Sequence, residues 1–173
     1  MPVLELTLIS FFAFLFLFSG AAKLRAVRRF RDQIAAFGVV PWRVAPVLAV
    51  SIPLAELAVG AALLMRVQPA ASLAAALALL ALFTGFIAWV LASKRKAACF
   101  CFGEEDGEIS GLTLARNVIL LALAAGAFAF SGSVPPASGM LSLLAGLYAL
   151  SGVLLFVSAF HLLGLWKTVR SLL

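Results

Sequence analysis

The two cysteines of this 173-residue chain lie in one short segment, Cys99-Phe100-Cys101-Phe102-Gly103, between long apolar runs. Two cysteines separated by one residue close into a disulfide only through a very small ring, because bridged cysteines need Cα atoms about 4.4–6.8 Å apart. A strained disulfide is reduced easily, which favours thiol–disulfide exchange over a structural bond. Two inert cysteines are the alternative interpretation, and these residues by themselves do not decide between the two.

The charges on either side of the cysteines have opposite effects on a thiol. Three basic residues, Lys94 to Lys96, precede the pair, and four acids follow it within Glu104 to Glu108. Basic neighbours stabilise a thiolate and acidic neighbours oppose it. The charge pattern therefore does not predict an activated thiolate, although Cys99, nearer Lys96, is the slightly favoured nucleophile.

The composition predicts an integral membrane protein. Hydrophobic residues make up 65% of the chain and charged residues 12%, with a mean hydropathy of +1.18. Soluble domains average about 45–50% apolar and about 25% charged residues. The net charge of +6 comes from short basic clusters at the ends of apolar runs, which excludes a nucleic-acid-binding face. Two cysteines and one histidine are too few for a four-ligand Cys/His zinc site, so we expect no metal.

The apolar runs predict one all-α domain, a polytopic bundle of four to five transmembrane helices. A transmembrane helix needs about 17–25 apolar residues to cross a hydrocarbon core of roughly 30 Å, and each run reaches that length. No basic side chain precedes the first run, so we expect it to remain as a span rather than to be a signal peptide. A shorter segment, 33–42, carries Gly38 and Pro41 and is placed at the interface, with Trp42 at headgroup level. The predicted spans are about 6–22, 44–65, 70–92, 112–130 and 140–165.

An acid, Glu56, falls near the middle of the second run, three residues after Pro53. An ionisable group at this depth is costly, so we expect it to be uncharged and to face the bundle interior. One interpretation is a proton relay or a contact to a quinone. The other is a neutral carboxyl that hydrogen-bonds a helix carbonyl left exposed by Pro53. The sequence leaves both open.

Other polar residues near the ends of the spans also have two interpretations. The basic cluster from Lys23 to Arg31 is either an orientation signal on a solvated face or a docking surface for anionic lipid or a partner. Arg116 either extends outward to the interface or pairs with an acid of the cysteine segment. His161, near the end of the fifth run, is either a packing residue or a proton acceptor for the cysteines.

The distribution of basic residues predicts the orientation. Twelve of the thirteen lie on one side of the predicted spans or just inside it, and Arg66 lies on the other. Because cytoplasmic loops carry an excess of lysine and arginine, the N-terminus is predicted outside and the C-terminus in the cytoplasm. The cysteine segment then faces the cytoplasm, and the protein belongs in the inner (cytoplasmic) membrane of the cell.

Four motifs in fixed order resemble one known family, the methylamine-utilisation membrane protein MauE family, itself similar to the DoxX group of small membrane proteins. The resemblance covers nearly the whole chain, and the cysteine motif with the downstream Arg-Asn is its most specific part. Phe100 departs from the small residue that the family usually has between the cysteines. The motifs are Phe37-Gly38-Val39-Val40-Pro41, Ile52-Pro53-Leu54-Ala55-Glu56-Leu57-Ala58-Val59-Gly60, Cys99-Phe100-Cys101-Phe102-Gly103 and Leu114-Ala115-Arg116-Asn117.

This resemblance implies a role in maturing the small, disulfide-rich subunit of methylamine dehydrogenase, an exported client, beside a thioredoxin-like partner. Cys99 and Cys101 are the implied redox pair, as part of a thiol–disulfide oxidoreductase system, and Arg116 and Asn117 are candidates for supporting their segment. The alternatives are a non-enzymatic assembly or scaffold subunit and a DoxX-like subunit that passes electrons to quinone. No cofactor is required by the first two, and quinone is required by the third.

Maturation of this client takes place in the periplasm, whereas the charge rule places the cysteines on the cytoplasmic face. Three resolutions follow: the segment passes electrons across the membrane, it serves a cytoplasmic donor, or the orientation is reversed.

The orientation can be tested with single-cysteine or tagged variants at Arg28, Ser133 and Lys167. We expect the positions at Arg28 and Lys167 to react only from the cytoplasmic side and the position at Ser133 only from outside. Reaction of the Ser133 position from the cytoplasmic side alone would reverse the predicted topology.

Overall fold

The computed structural model describes residues 2–38, 40–93, 111–130, 144–155 and 158, and these ranges contain helices and turns but no strand. This confirms the predicted class, an all-α polytopic membrane protein. The helices are α1 (Pro2–Arg25), α2 (Val27–Ala36), α3 (Ala45–Leu64), α4 (Pro69–Ala92), α5 (Gly111–Phe130) and α6 (Leu144–Leu155).

Four of these helices are long and apolar enough to cross a membrane, namely Leu4–Arg25, Ala45–Leu64, Pro69–Ala92 and Gly111–Ala129. They correspond to the first four predicted spans, and the largest difference is that α1 continues to Arg25 instead of ending near residue 22. Of the fifth predicted span, Leu144–Leu155 is a shorter apolar helix, and most of the remaining positions lie outside the described residues.

Helix α1 is the centre of the bundle. Its apolar side chains are buried on several sides, including Phe12 and Phe16 in the core that it shares with α3, α4, α5 and α6. Apolar side chains all round a helix suit either a protein core or lipid, so the central position of α1 is shown by this burial and not by its composition. The core residues from the other helices are Leu63, Leu73, Ala76, Leu80, Leu120, Ala124, Ala127 and Val153.

Two glycines allow the backbones of α1 and α3 to approach closely. A Cβ atom on Gly20 of α1 would lie 2.8 Å from the carbonyl oxygen of Pro53, and one on Gly60 of α3 would lie 3.0 Å from that of Ala13. Small residues permit this kind of backbone contact between membrane helices. Because Gly20 meets residue 53 and Gly60 meets residue 13, α1 and α3 run antiparallel.

Helix α2 is a short amphipathic helix at the end of the bundle where α1 ends and α3 begins. Phe30 is buried against Ala49 of α3, with Ile34 of α2 and Ile52 of α3 packed around it. Arg28 and the other charged residues of α2 are exposed on the opposite side. The segment predicted at the interface contributes the last turn of α2 and the turn that follows, where Trp42 is 74% exposed.

The close contact between α1 and α3 predicts different outcomes for two glycine-to-alanine substitutions. Gly20→Ala forces a methyl group against the Pro53 carbonyl and should lower the free energy of unfolding by about 1–3 kcal/mol. Gly85→Ala on α4, where an added Cβ would meet no atom within 4 Å, should be neutral or stabilise by about 0.5–1 kcal/mol. Unfolding of the detergent-purified variants measures both, and equal stability of the two would contradict the tight packing of α1 on α3.

Candidate functional site

Lys23 of α1 and Glu56 of α3 form a buried ion pair. The Lys23 Nζ atom lies 2.6 Å from Glu56 Oε1, and the two side chains are only 5% and 2% exposed. Lys23 Nζ also donates a hydrogen bond of 2.6 Å to Ser19 Oγ. The Ser19 hydroxyl in turn donates to Glu56 Oε1 at 3.4 Å. Three polar side chains thus contact one another inside an apolar bundle.

The local structure of α1 and α3 explains this placement. Ser19 and Lys23 are four residues apart, so they lie on one face of α1, and that face meets α3. Gly20 lies between them and removes the side-chain bulk that would separate the two backbones. Lys23 is in the last turn of α1, where a cation interacts favourably with the helix dipole. Glu56 lies eleven residues into α3, and the long lysine side chain reaches it from the end of α1.

Aromatic rings from two further helices cover the ammonium group. Lys23 Nζ lies 5.9 Å from the ring centroid of Phe30 in α2 and 5.2 Å from that of Phe83 in α4. Both distances are within the range of cation–π attraction, which is stronger for a desolvated cation. The rings also separate the ion pair from lipid and water.

A second cation, Arg116 of α5, belongs to the same site. Its side chain is buried at 7% exposure, and it lies near enough for its positive charge to act on Lys23. The site therefore joins residues of five helices, α1 to α5. Two basic side chains, those of Lys23 and Arg116, thus lie near the acidic side chain of Glu56.

Glu56 uses one carboxylate oxygen for the contacts described above. Its second oxygen, Oε2, is fully buried and makes no hydrogen bond within the described part of the chain. Such an oxygen has the chemistry to accept a proton or a hydrogen bond. The described ranges contain no cluster of three or more His, Cys, Asp or Glu residues that could hold a metal ion.

The structure agrees with the predicted interior position of Glu56 and adds a partner that the sequence analysis missed. Lys23 was grouped with the solvated basic cluster, but it is buried instead of exposed. A signal for this was present, since Phe12, Phe16, Ser19 and Lys23 follow the i, i+4, i+7, i+11 spacing of one helix face. Of the two interpretations left open for Glu56, the hydrogen bond to a helix carbonyl near Pro53 is not seen in the structure, where Lys23 and Ser19 donate to the carboxylate.

Arg116 and Asn117, predicted to support the cysteine segment, are both buried in the first turns of α5. Burial of Arg116 contradicts the alternative in which it extends outward to the interface. Asn117 Nδ2 donates a hydrogen bond of 3.0 Å to the Thr113 carbonyl within the same helix.

Cys99, Cys101, the neighbouring acids and His161 lie outside the described residues. The chain leaves the described part after Ser93, at the end of α4, and enters it again at Gly111, at the start of α5. Phe83 and Arg116 both lie near Lys23, so these two helix ends are at the end of the bundle where α1 ends.

The fold and the site define a small polytopic membrane protein whose helices are joined by a buried ion pair. The model of the family described as "Methylamine utilisation protein MauE" matches residues 1–130, and the chain belongs to this family. This confirms the family resemblance of the sequence motifs. The matched range includes Lys23, Glu56, Arg116 and both cysteines, whereas His161 lies beyond it.

Two relatives match most of the chain. The methylamine utilization protein MauE of Paracoccus denitrificans is 33% identical over 169 residues, which cover 95% of this chain and 89% of the relative. The MauE protein of Paracoccus versutus is 35% identical over 165 residues, which cover 94% and 88%. No solved structure matches the chain.

The buried ion pair predicts that single substitutions destabilise the protein more than the matched double substitution. Glu56→Gln leaves the Lys23 ammonium without its counter-charge, and Lys23→Met leaves the carboxylate alone. Each single substitution should lower the free energy of unfolding by about 3–5 kcal/mol. The double variant with Lys23→Met and Glu56→Leu should recover most of the lost stability, because it leaves no unpaired charge.

The control for this measurement is the exposed pair Arg31–Asp32, whose side chains are 47% and 65% exposed. Asp32→Asn should change the free energy of unfolding by less than about 1 kcal/mol. If Glu56→Gln unfolds in detergent at the same temperature as the unmodified protein, the ion pair does not hold α1 against α3.

Proposed function

We propose that this protein supports methylamine utilisation by maturing an exported, disulfide-containing client through thiol–disulfide exchange at Cys99 and Cys101. The client implied by the family resemblance is the small subunit of methylamine dehydrogenase, and the implied partner is a thioredoxin-like protein. The observation that supports the proposal is that both cysteines lie in the sequence between α4 and α5, whose described ends, Ser93 and Gly111, are at the end of the bundle where α1 ends. The names of the two MauE relatives support the pathway.

The exchange balances as a transfer of two electrons and two protons. A thiolate of the client attacks the Cys99–Cys101 disulfide, which forms a mixed disulfide and releases one of the two cysteines as a thiolate. A second client thiolate then attacks the client sulfur of the mixed disulfide and releases the other cysteine. The client gains a disulfide, and Cys99 and Cys101 are left as thiols. The thioredoxin-like partner then accepts the two electrons by the same exchange and restores the disulfide.

The buried site contributes a rigid frame to this chemistry. The Lys23–Glu56 pair joins α1 to α3, and α4 and α5, between which the cysteine segment lies in the sequence, share an apolar core with these two helices. A role of Glu56 as proton relay or quinone contact stays a prediction. The variant with both Lys23→Met and Glu56→Leu is the right background for testing it, because it removes the acid without leaving an uncompensated charge.

The redox function predicts covalent trapping. Replacing only the resolving cysteine should leave a mixed disulfide between this protein and its partner, visible as a reducible complex on a gel. Cys99 is the favoured nucleophile on charge, so we expect the complex in Cys101→Ser. The chain has two cysteines, so the double serine variant is free of thiols and serves as the control. Alkylation mass shifts of the unmodified protein in cells report the redox state of the pair.

The scaffold alternative predicts the opposite pattern. If the double serine variant supports maturation and neither single variant traps a complex, the redox function is wrong. Charge reversal at Glu104, Glu105 and Asp106 would then abolish maturation if the acidic segment docks a partner.

A further inference from the structure

A surface of exposed arginines lies at the junction of α1 and α2, and we call it the arginine surface. It consists of Arg25, Arg28, Arg29 and Arg31, all of which are exposed. The opposite side of α2 is held against α3 by Phe30, which is buried beside Ala49. The packing of α2 therefore directs its charged side away from the bundle.

Within the described part of the chain, one carboxylate lies at this surface, that of Asp32. The described residues contain three acids, Glu5, Asp32 and Glu56. Glu56 is paired with Lys23 inside the bundle, and Glu5 lies at the opposite end of α1. Asp32 pairs with Arg31 at 2.7 Å. Arg25, Arg28 and Arg29 thus have no carboxylate partner among the described residues.

The arginine surface lies next to the ends of two membrane-spanning helices, α1 and α3. It begins where the spanning helix α1 ends, and the chain enters the next spanning helix at Ala45. Trp42, just before α3, is 74% exposed, and the guanidinium carbon of Arg43 lies 5.6 Å from its ring centroid. Exposed tryptophan beside a basic residue is typical of the membrane interface.

We propose that the arginine surface binds the phosphate groups of anionic phospholipids in the adjoining leaflet. The planar guanidinium group matches the geometry of phosphate oxygens, and arginine keeps its charge at any physiological pH. Basic residues next to the ends of membrane helices attract anionic lipid. Arg25, Arg28 and Arg29 carry the binding, and Arg31 contributes less because Asp32 neutralises it. This inference does not depend on the cysteines or on the proposed maturation function.

The test is a lipid titration of the full chain in detergent, followed by native mass spectrometry. Phosphatidylglycerol should bind more tightly than phosphatidylcholine, and the preference should weaken with added salt. Arg28→Gln with Arg29→Gln should reduce phosphatidylglycerol affinity by about fivefold for each arginine removed. Arg31→Gln, the matched control, should reduce it less, and Asp32→Asn should increase it because Arg31 is released.

Three results would overturn the proposal. The first is equal affinity for phosphatidylglycerol and phosphatidylcholine. The second is unchanged phosphatidylglycerol affinity in the double arginine variant. The third is competition by free glycerol phosphate as strong as that by the lipid, which would indicate a site for small anions. If the double variant fails to fold in phosphatidylcholine alone, the phosphatidylglycerol affinity of Asp32→Asn is the test instead. Affinity no higher than that of the unmodified protein then refutes the proposal.

Discussion

The rest of this structure depends on the cost of burying a charged group in a low-dielectric interior. A lone ammonium or carboxylate at this depth would be strongly destabilising, so each can be buried only with the other. Lys23 and Glu56 lie on different helices, and their 2.6 Å contact exists only if α1 and α3 are close and in register. Gly20 and Gly60 allow the two backbones to approach closely. Any other register would leave the buried ammonium and carboxylate groups unpaired and would therefore be destabilised. The two features therefore specify the same antiparallel helix pair, one by shape and one by charge.

Much of the fold could be predicted from the sequence because the bilayer demands long apolar runs. The first four spans and the interior position of Glu56 follow from hydropathy and from the cost of a buried acid. The partner of Glu56 could not be found in that way. It lies thirty-three positions earlier in the chain, and the pairing depends on the register of α1 on α3, which no local pattern encodes. Lys23 is also close in the sequence to exposed basic residues, which makes it resemble a solvated side chain. Its position on the same face of α1 as Phe12 and Phe16 was the sequence signal for burial.

The basic run after the first span is divided by one local feature, the turn at Ala26 between α1 and α2. On the α1 side of this turn, Lys23 belongs to the core face and is buried. Arg25, at the end of α1, is exposed on another face of the same helix. On the α2 side, Arg28, Arg29 and Arg31 follow a new helix axis, and burial of Phe30 directs them outward. The basic residues of this run thus have two physical roles. Lys23 pairs with Glu56 inside the bundle, and the arginines give the surface a positive charge. Sequence composition treats these residues alike, whereas the face of α1 separates Lys23 from Arg25 and the helix break gives the arginines of α2 a separate orientation.

This division also bears on the orientation in the membrane. Basic residues direct topology through their charge near the membrane ends, and Lys23 and Arg116 are buried in the bundle, so they are weaker indicators than the exposed ones. Setting both aside still leaves ten basic residues on the predicted cytoplasmic side against Arg66 on the other, so the predicted bias does not rest on the buried cations. The arginine surface and the helix ends that carry the cysteine segment are at the same end of the bundle. The arginine surface is consequently next to the same leaflet as the ends of α4 and α5, between which the cysteine segment lies in the sequence. A periplasmic maturation function then requires either that this end faces the periplasm, against the charge bias, or that electrons cross the bilayer to reach the client.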